Sequence, residues 1–266
     1  MAELEGIGVL VTRPAAQAAP LCRLIEAQGG QAIAFPTLAI LPPRDPGALT
    51  PLLASLADFQ LAIFTSANAV DFLLERLPGP LPLPRAAVGR ATAAALTRRG
   101  LPPQLVPETD FSSEGLLALP ALQRVAGQRL LLVKGEGGRD RLAGELTRRG
   151  AQVIEANVYR RERPAADPAP LLTQIDNGEV DIVTVTSNQA LANLFEMLGG
   201  AGRQWLRCTP LVAISERARR LAGELGLEGP VLLARQAGDA ALVDALLEWR
   251  RNLPTGPIPI RPGDHP

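Results

Sequence analysis

The stretch Leu61–Leu77 (LAIFTSANAVDFLLERL) returns at Ile182–Leu198 (IVTVTSNQALANLFEML), and this echo limits the possible fold more than any other feature of the chain. In each copy a short apolar run ends in Thr-Ser, at Thr65-Ser66 and at Thr186-Ser187. A polar corner follows, then an apolar helical stripe. The stripe is Val70, Leu73, Leu74 and Leu77 in the first copy and Leu191, Leu194, Phe195 and Leu198 in the second. Both keep the i, i+3, i+4, i+7 spacing of one helix face. The differences 191−70, 194−73, 195−74 and 198−77 are each 121, so register holds over a whole element. That is the mark of an internal duplication. Val9-Leu10-Val11-Thr12-Arg13 resembles Leu131-Leu132-Val133-Lys134-Gly135, with 133−11 giving 122. Ala87-Val88-Gly89-Arg90 resembles Ala213-Ile214-Ser215-Glu216, with 215−89 giving 126.

Apolar runs alternate with helical stripes throughout, which predicts an α/β protein with parallel sheets. Strands are expected at 7–12, 31–35, 61–64, 86–88, 104–106, 129–133, 153–156, 181–185, 211–214 and 231–233. The Arg13-Pro14 corner opens the first helix and Gly29-Gly30 ends it. A short helix is expected at 51–57, and others at 91–99, 116–125, up to Arg149, near 171–174, after the TSNQ corner, and at 217–225 and 240–249. Two proline-bounded stretches, 36–43 and 158–164, read as extended connectors. They fall inside each repeat, after its strand–helix–strand unit, not between the repeats. Connections that avoid threading then give a discontinuous first domain, 1–35 plus 165–252, and a second domain, 44–157. Two antiparallel connector strands join them, with hinge freedom and a cleft at the sheets' carboxyl ends. Division into two sequential domains near residue 127 is the other arrangement considered. The Pro-rich tail, 253–266, is expected to be disordered.

With 266 residues, 47% of them hydrophobic, the chain can fill two ordinary domains. No apolar run approaches the length of a membrane span, and the acidic N-terminus does not suit a signal peptide, so a cytoplasmic protein is expected. Formal net charge is zero, leaving no basic field for nucleic acid. The sole His is His265 in the tail, and Cys22 and Cys208 lack metal-type spacing. A His/Cys metal centre, a Ser-His-Asp triad and a Cys-His pair are therefore not expected. Lys134 is the only Lys among the 27 basic residues, and Tyr159 is the only Tyr. Chemistry is left to carboxylates, hydroxyls, backbone N–H groups, Arg, Lys134 or Tyr159.

The strand-to-helix corners share one property. Thr12-Arg13, Thr65-Ser66-Ala67-Asn68, Gly89-Arg90-Ala91-Thr92, Lys134-Gly135-Glu136-Gly137, Thr186-Ser187-Asn188 and Ser215-Glu216-Arg217 put small or hydroxyl side chains at free helix N–H groups. Ser113 opens a further helix. Such ends attract anions, and in open α/β sheets the ligand lies beyond the strands' carboxyl ends. Any single Ser or Thr among them would serve equally as an N-cap; as a set they suit a ligand with many carboxylates. Lys134 and Arg139 are candidate carboxylate partners or a solvated basic turn. The turn 134–140 is not a dinucleotide fingerprint, since Asp140 stands where the last Gly belongs, and no phosphate-binding GxxxxGK[ST] occurs. No cofactor and no metal are expected.

Val-Leu-Val-Thr-Arg-Pro (9–14), Phe-Thr-Ser-Ala-Asn-Ala-Val (64–70), Val-Gly-Arg-Ala-Thr-Ala (88–93), Phe-Ser-Ser-Glu-Gly-Leu (111–116), Val-Tyr-Arg-Arg (158–161) and Val-Thr-Ser-Asn (185–188) stand in one order. The chain resembles the uroporphyrinogen-III synthases in that order, over residues 7 to about 247. The resemblance implies two flavodoxin-like parallel-sheet domains joined by a two-stranded antiparallel connector. It also implies a reaction without a cofactor. Hydroxymethylbilane, a linear tetrapyrrole, would lose water and close to uroporphyrinogen III with its last ring inverted. Tyr159 matches the Tyr proposed in that family to assist hydroxyl loss; a packing residue at the hinge is the other reading of it. Where many members carry Thr, after the strand at 211–214, this chain has Ser215-Glu216-Arg217. Hydroxymethylbilane as substrate, a transient hand-over from hydroxymethylbilane synthase and a monomeric state follow as expectations. The alternative considered is a non-catalytic hinged anion-binding or sensor protein.

Overall fold

The computed structural model describes residues 2–77, 79–137, 141–236 and 238–253. In chain order its elements are β1 (Gly8–Val11), α1 (Ala15–Ala27), β2 (Gln31–Ala34), β3 (Ala39–Leu41), α2 (Leu49–Ala54), β4 (Leu61–Phe64), α3 (Ala67–Leu74), β5 (Arg85–Ala87) and α4 (Arg90–Arg98). They continue with α5 (Ser113–Ala118), α6 (Pro120–Gln123), β6 (Arg129–Gly135), α7 (Arg141–Arg148), β7 (Gln152–Glu162), α8 (Ala169–Asp176) and β8 (Ile182–Val185). The chain closes with α9 (Asn188–Met197), α10 (Gly199–Cys208), β9 (Leu211–Ala213), α11 (Glu216–Glu224), β10 (Val231–Leu233) and α12 (Asp239–Arg251).

Two compact units result, one of Met1–Ala39 with Glu162–Pro266, the other of Ile40–Arg161. The sheet of the first runs β10-β9-β8-β1-β2, and that of the second β3-β7-β6-β4-β5. The pairs β1·β2, β1·β8, β8·β9 and β9·β10 are parallel, as are β4·β5, β4·β6 and β6·β7. Each sheet therefore reverses its winding once, at β1/β8 and at β4/β6. That reversal is the doubly wound flavodoxin-like order, with its ligand position beyond the carboxyl ends of those two strands.

The duplication explains the strand orders. At offsets of 121 to 126, β1 corresponds to β6, β2 to β7, β4 to β8 and β5 to β9. Leu105, which only bridges Ala86, corresponds to β10. One sheet reads β2-β1-β8-β9-β10 and the other β7-β6-β4-β5 with the Leu105 bridge, the same order under that correspondence. Each unit takes its strand–helix–strand start from one repeat and its remainder from the other, an exchange of halves within one chain.

Both faces of each sheet are covered, as parallel sheets require. In the first unit Leu10, Val183 and Val185 pack with Leu191, Leu194 and Leu206 on one face. Val9, Val11 and Val212 meet Leu21, Ile25, Leu242 and Leu246 on the other. In the second unit Phe64, Leu131 and Val133 pack with Val70, Leu73 and Leu96, while Ile63, Leu130 and Leu132 meet Leu116, Leu142 and Leu146. Burial of each such Leu contributes about 1.5–3 kcal/mol.

Several expected elements change. The helix expected at 116–125 is two, because Pro120 cannot take an interior position and starts α6 instead. The strand expected at 104–106 reduces to the one bridge. The strand 153–156 and the stretch after it form one strand, β7, up to Glu162. Helix α10 has no counterpart among the elements expected from the sequence: Gly199 sits at φ +65, and the helix that follows buries Trp205 and Leu206. The tail from 254 onward and Arg139 lie outside the described residues.

The exit from β2 is pinned by a buried threonine. Thr37 is fully buried. Its backbone N–H donates to the Thr12 carbonyl at 3.2 Å, and its hydroxyl lies 3.1 Å from the Ala190 carbonyl and 3.3 Å from that of Thr12. Its own carbonyl accepts from Asn193 Nδ2 at 2.7 Å. Thr37→Val keeps the shape and removes the hydroxyl, so the urea midpoint is expected to fall by the equivalent of about 1–2 kcal/mol. An unchanged midpoint would show that the hydroxyl contributes nothing.

Candidate active site

The corners at the two winding reversals are built alike. Ser66 caps α3 by accepting the Ala69 N–H at 3.1 Å, and Ser187 caps α9 by accepting the Ala190 N–H at 3.0 Å. Both take extended backbone, φ −159 and −161. Ser215 caps α11 in the same way, through the Ala218 N–H. At α5 the cap is Ser112, accepting from Gly115, and Ser113 is the first helical residue; the Phe-Ser-Ser-Glu sequence alone does not settle which serine caps. Each cap satisfies one of the free N–H groups, and the remainder of the first turn keeps the positive end of the helix dipole.

The other expected residues divide by what holds them. Thr12 is fully buried, and its hydroxyl donates to the Thr184 carbonyl at 2.7 Å, stitching β1 to β8. Thr65 does the same in the second unit, donating to Val133 at 3.3 Å. Thr92 is buried in α4. Arg13 Nη2 lies 2.7 Å from Asp239 Oδ1, a charge pair too bent to count as a hydrogen bond. The Lys134 ammonium is buried and donates to Glu155 Oε2 at 3.1 Å. Arg90 is exposed and lies 4.4 Å over the Phe111 ring. Asn188 Nδ2 donates to the Arg217 carbonyl, tying two corners of the first unit together, and the Arg217 side chain is exposed. Thr186 and Asn68 are half-buried beside the caps. Gly137 turns the chain at φ +71, a conformation suited to glycine.

Tyr159 occupies the centre of the second unit's corner. Strict alternation along β7 would place it on the face of Glu155 and Asn157. The β6·β7 register instead shifts between Lys134 and Gly135: Lys134 pairs Asn157 and Gly135 pairs Tyr159. Val158 already shares the α3 face with Ala156, and the extra residue brings Tyr159 onto that face as well, where both join one core. The ring packs against Phe72 at 5.7 Å between centroids. Gly135 also lies close to the ring, where an added Cβ would be 2.6 Å from Tyr159 Cζ. The Tyr159 and Ser66 hydroxyls are 3.1 Å apart, and Arg161 Nη2 donates to Tyr159 Oη at 3.4 Å. Gly135 thus makes room for a ring, a role that the reading of its turn as an anion-binding corner does not include.

The duplication isolates this cluster. The pairings of Val9 with Ile182 and of Leu130 with Leu61 set the offset of the first strands at 121, one less than the 122 read from the sequence. At that offset Tyr159, Ser66, Phe72 and Gly135 of the second unit correspond to Leu38, Ser187, Asn193 and Pro14 of the first. The cap persists in both copies, but the phenol and the glycine beneath it occur in one. One unit therefore carries a phenol at its reversal point, where the other has Leu38 in the corresponding position.

The family model described as Uroporphyrinogen-III synthase HemD matches residues 19–244. The chain is 34% identical to the uroporphyrinogen-III synthase of Escherichia coli (strain K12), over 90% of this chain and 100% of that one. It is 33% identical to that of Synechococcus elongatus, over 81% of this chain and 84% of that one. The solved uroporphyrinogen-III synthetase of Helicobacter pylori 26695 shares the fold with a TM-score of 0.62 at 16% identity, over 91% of this chain and 99% of that one. A mutant uroporphyrinogen III synthase of Thermus thermophilus gives 0.59 at 24% identity, over 92% and 98%.

Proposed function

The chain belongs to the uroporphyrinogen-III synthase family, and from that premise we propose how its residues carry out the reaction. The substrate is hydroxymethylbilane and the product uroporphyrinogen III, which places the protein in tetrapyrrole biosynthesis as a cyclising hydro-lyase. The supporting geometric observation is the single phenol, Tyr159, held against the Ser66 cap at the β4/β6 reversal.

An electron-rich pyrrole expels the terminal hydroxyl by pushing in its nitrogen lone pair. Tyr159 gives its proton to that oxygen, which leaves as water. The azafulvene so formed is attacked by the last ring through its substituted carbon, giving a spiro intermediate that reopens with the ring inverted. Unguided closure joins the unsubstituted carbon and gives isomer I. The protein's main work is then to hold the chain in the coiled geometry and keep water off the cation, which is catalysis by positioning. In the second unit the first-turn N–H groups at Ser66, with Arg90, suit carboxylates; in the first unit those at Ser187 and Ser215, with Arg217, do so. Arg13 and Lys134 already face Asp239 and Glu155, so they set the local field more than they receive substrate.

Among the described residues no helix is long and apolar enough to cross a membrane. A monomeric, cytoplasmic enzyme receiving its substrate from hydroxymethylbilane synthase fits this reading. Incubation with hydroxymethylbilane, oxidation to porphyrins and chromatographic separation of the isomers is expected to yield isomer III well above the spontaneous rate. Isomer I alone, at the spontaneous rate, would instead support a non-catalytic binding protein.

A further inference from the structure

Tyr159 is 1% exposed, yet the reading above requires its hydroxyl to reach a substrate oxygen. Three of its neighbours are fixtures. Ser66 is tied to the Ala69 N–H, Phe72 stands within α3, and Gly135 belongs to β6. The fourth is Arg161, an exposed residue two positions along β7. Its bond to Tyr159 Oη is long at 3.4 Å, and its guanidinium carbon lies 5.7 Å from the ring centroid. Among the described residues Arg161 pairs with no carboxylate, whereas Arg163 beyond it is bonded to Glu196. An exposed cation with a weak neutral partner therefore lies against a buried acid.

We infer that Arg161 is a positioning residue that covers Tyr159 in the free protein and is drawn off by a substrate carboxylate, so that binding uncovers the acid. The inference rests on the reading of Tyr159 as the proton donor. A charge-assisted, two-pronged bond to carboxylate is roughly twice as strong as a bond to a neutral hydroxyl, so the exchange runs toward substrate. Once Arg161 leaves, Ser66 is the remaining polar partner. Ser66 Oγ already accepts from Ala69, so its own hydrogen can turn to Tyr159 Oη and free the phenol hydrogen for the leaving oxygen. The C–O electron pair departs with that oxygen and the transferred proton as water. The pyrrole nitrogen pair forms the new C=N bond. After closure the pyrrole carbon gives up a proton and the phenolate takes it back, so no other reactant is needed.

Tyr159 is the only Tyr, so nitration by tetranitromethane, read as the mass of its peptide, reports its accessibility alone. In the substrate-free full-length protein, Arg161→Gln is expected to be nitrated roughly ten-fold faster than wild type, the equivalent of one lost charge-assisted hydrogen bond. Arg161→Lys is expected to recover most of the protection. Equal rates in wild type and Arg161→Gln would overturn the covering role. With hydroxymethylbilane, Arg161→Gln is expected to raise KM roughly ten-fold in both the wild-type and the Tyr159→Phe background, since its carboxylate contact does not need the phenol. An unchanged KM would overturn the carboxylate contact. If Tyr159→Phe turns over like wild type, the acid role is lost, while the nitration and KM results still decide the part played by Arg161.

Discussion

Gly135→Ala is expected to lower turnover about 100-fold, since a displacement of about 1 Å at a reacting group has that effect. It is also expected to destabilise the protein by about 2 kcal/mol through overpacking. The new Cβ would lie 2.6, 2.8 and 3.0 Å from three atoms of the Tyr159 ring. The ring is confined. It is buried, Phe72 stands against it, and its hydroxyl is engaged by Ser66 and Arg161. Urea unfolding and turnover measure the two effects separately. The steric origin is tested in a Tyr159→Ala background, where the same glycine substitution meets no ring and should add no further loss of stability. A neutral Gly135→Ala in the wild-type chain would mean that the close approach has no consequence.

Tyr159→Phe removes only the hydroxyl. Turnover is expected to fall about ten- to a hundred-fold, at or below the low end of general acid catalysis, because the pyrrole expels its hydroxyl with little help. Stability should change by no more than about 1 kcal/mol. The ring keeps its contact with Phe72, and Ser66 keeps the Ala69 N–H. Wild-type turnover in this variant would leave Tyr159 as a packing residue.

Features carried by local pattern were legible in the sequence. The Thr-Ser corners and their stripes at an offset of 121 mark β4–α3 and β8–α9, and the Ser66 and Ser187 caps match closely, at 3.1 and 3.0 Å. Features that depend on partners distant in the chain were not. The shift in β7 that turns Tyr159 toward α3 arises from pairing with β6, and no alternation of residue types announces it. Gly135 reads as part of an anion-binding corner until the ring beside it is seen. Arg13 reads as part of an anion-binding corner, but Asp239, far along the chain, meets it. Helix α10 is not among the expected elements at all: glycines at its start give it low helix propensity, and the burial of Trp205 and Leu206 outweighs that.

The account holds that geometry selects the product while the phenol only hastens its formation. The most direct measurement is the isomer ratio formed from hydroxymethylbilane by Tyr159→Phe, corrected for spontaneous closure. It should be isomer III, as in wild type, produced more slowly. A shift to isomer I would show that the hydroxyl itself directs the inversion, and the division of labour proposed for these residues would be wrong.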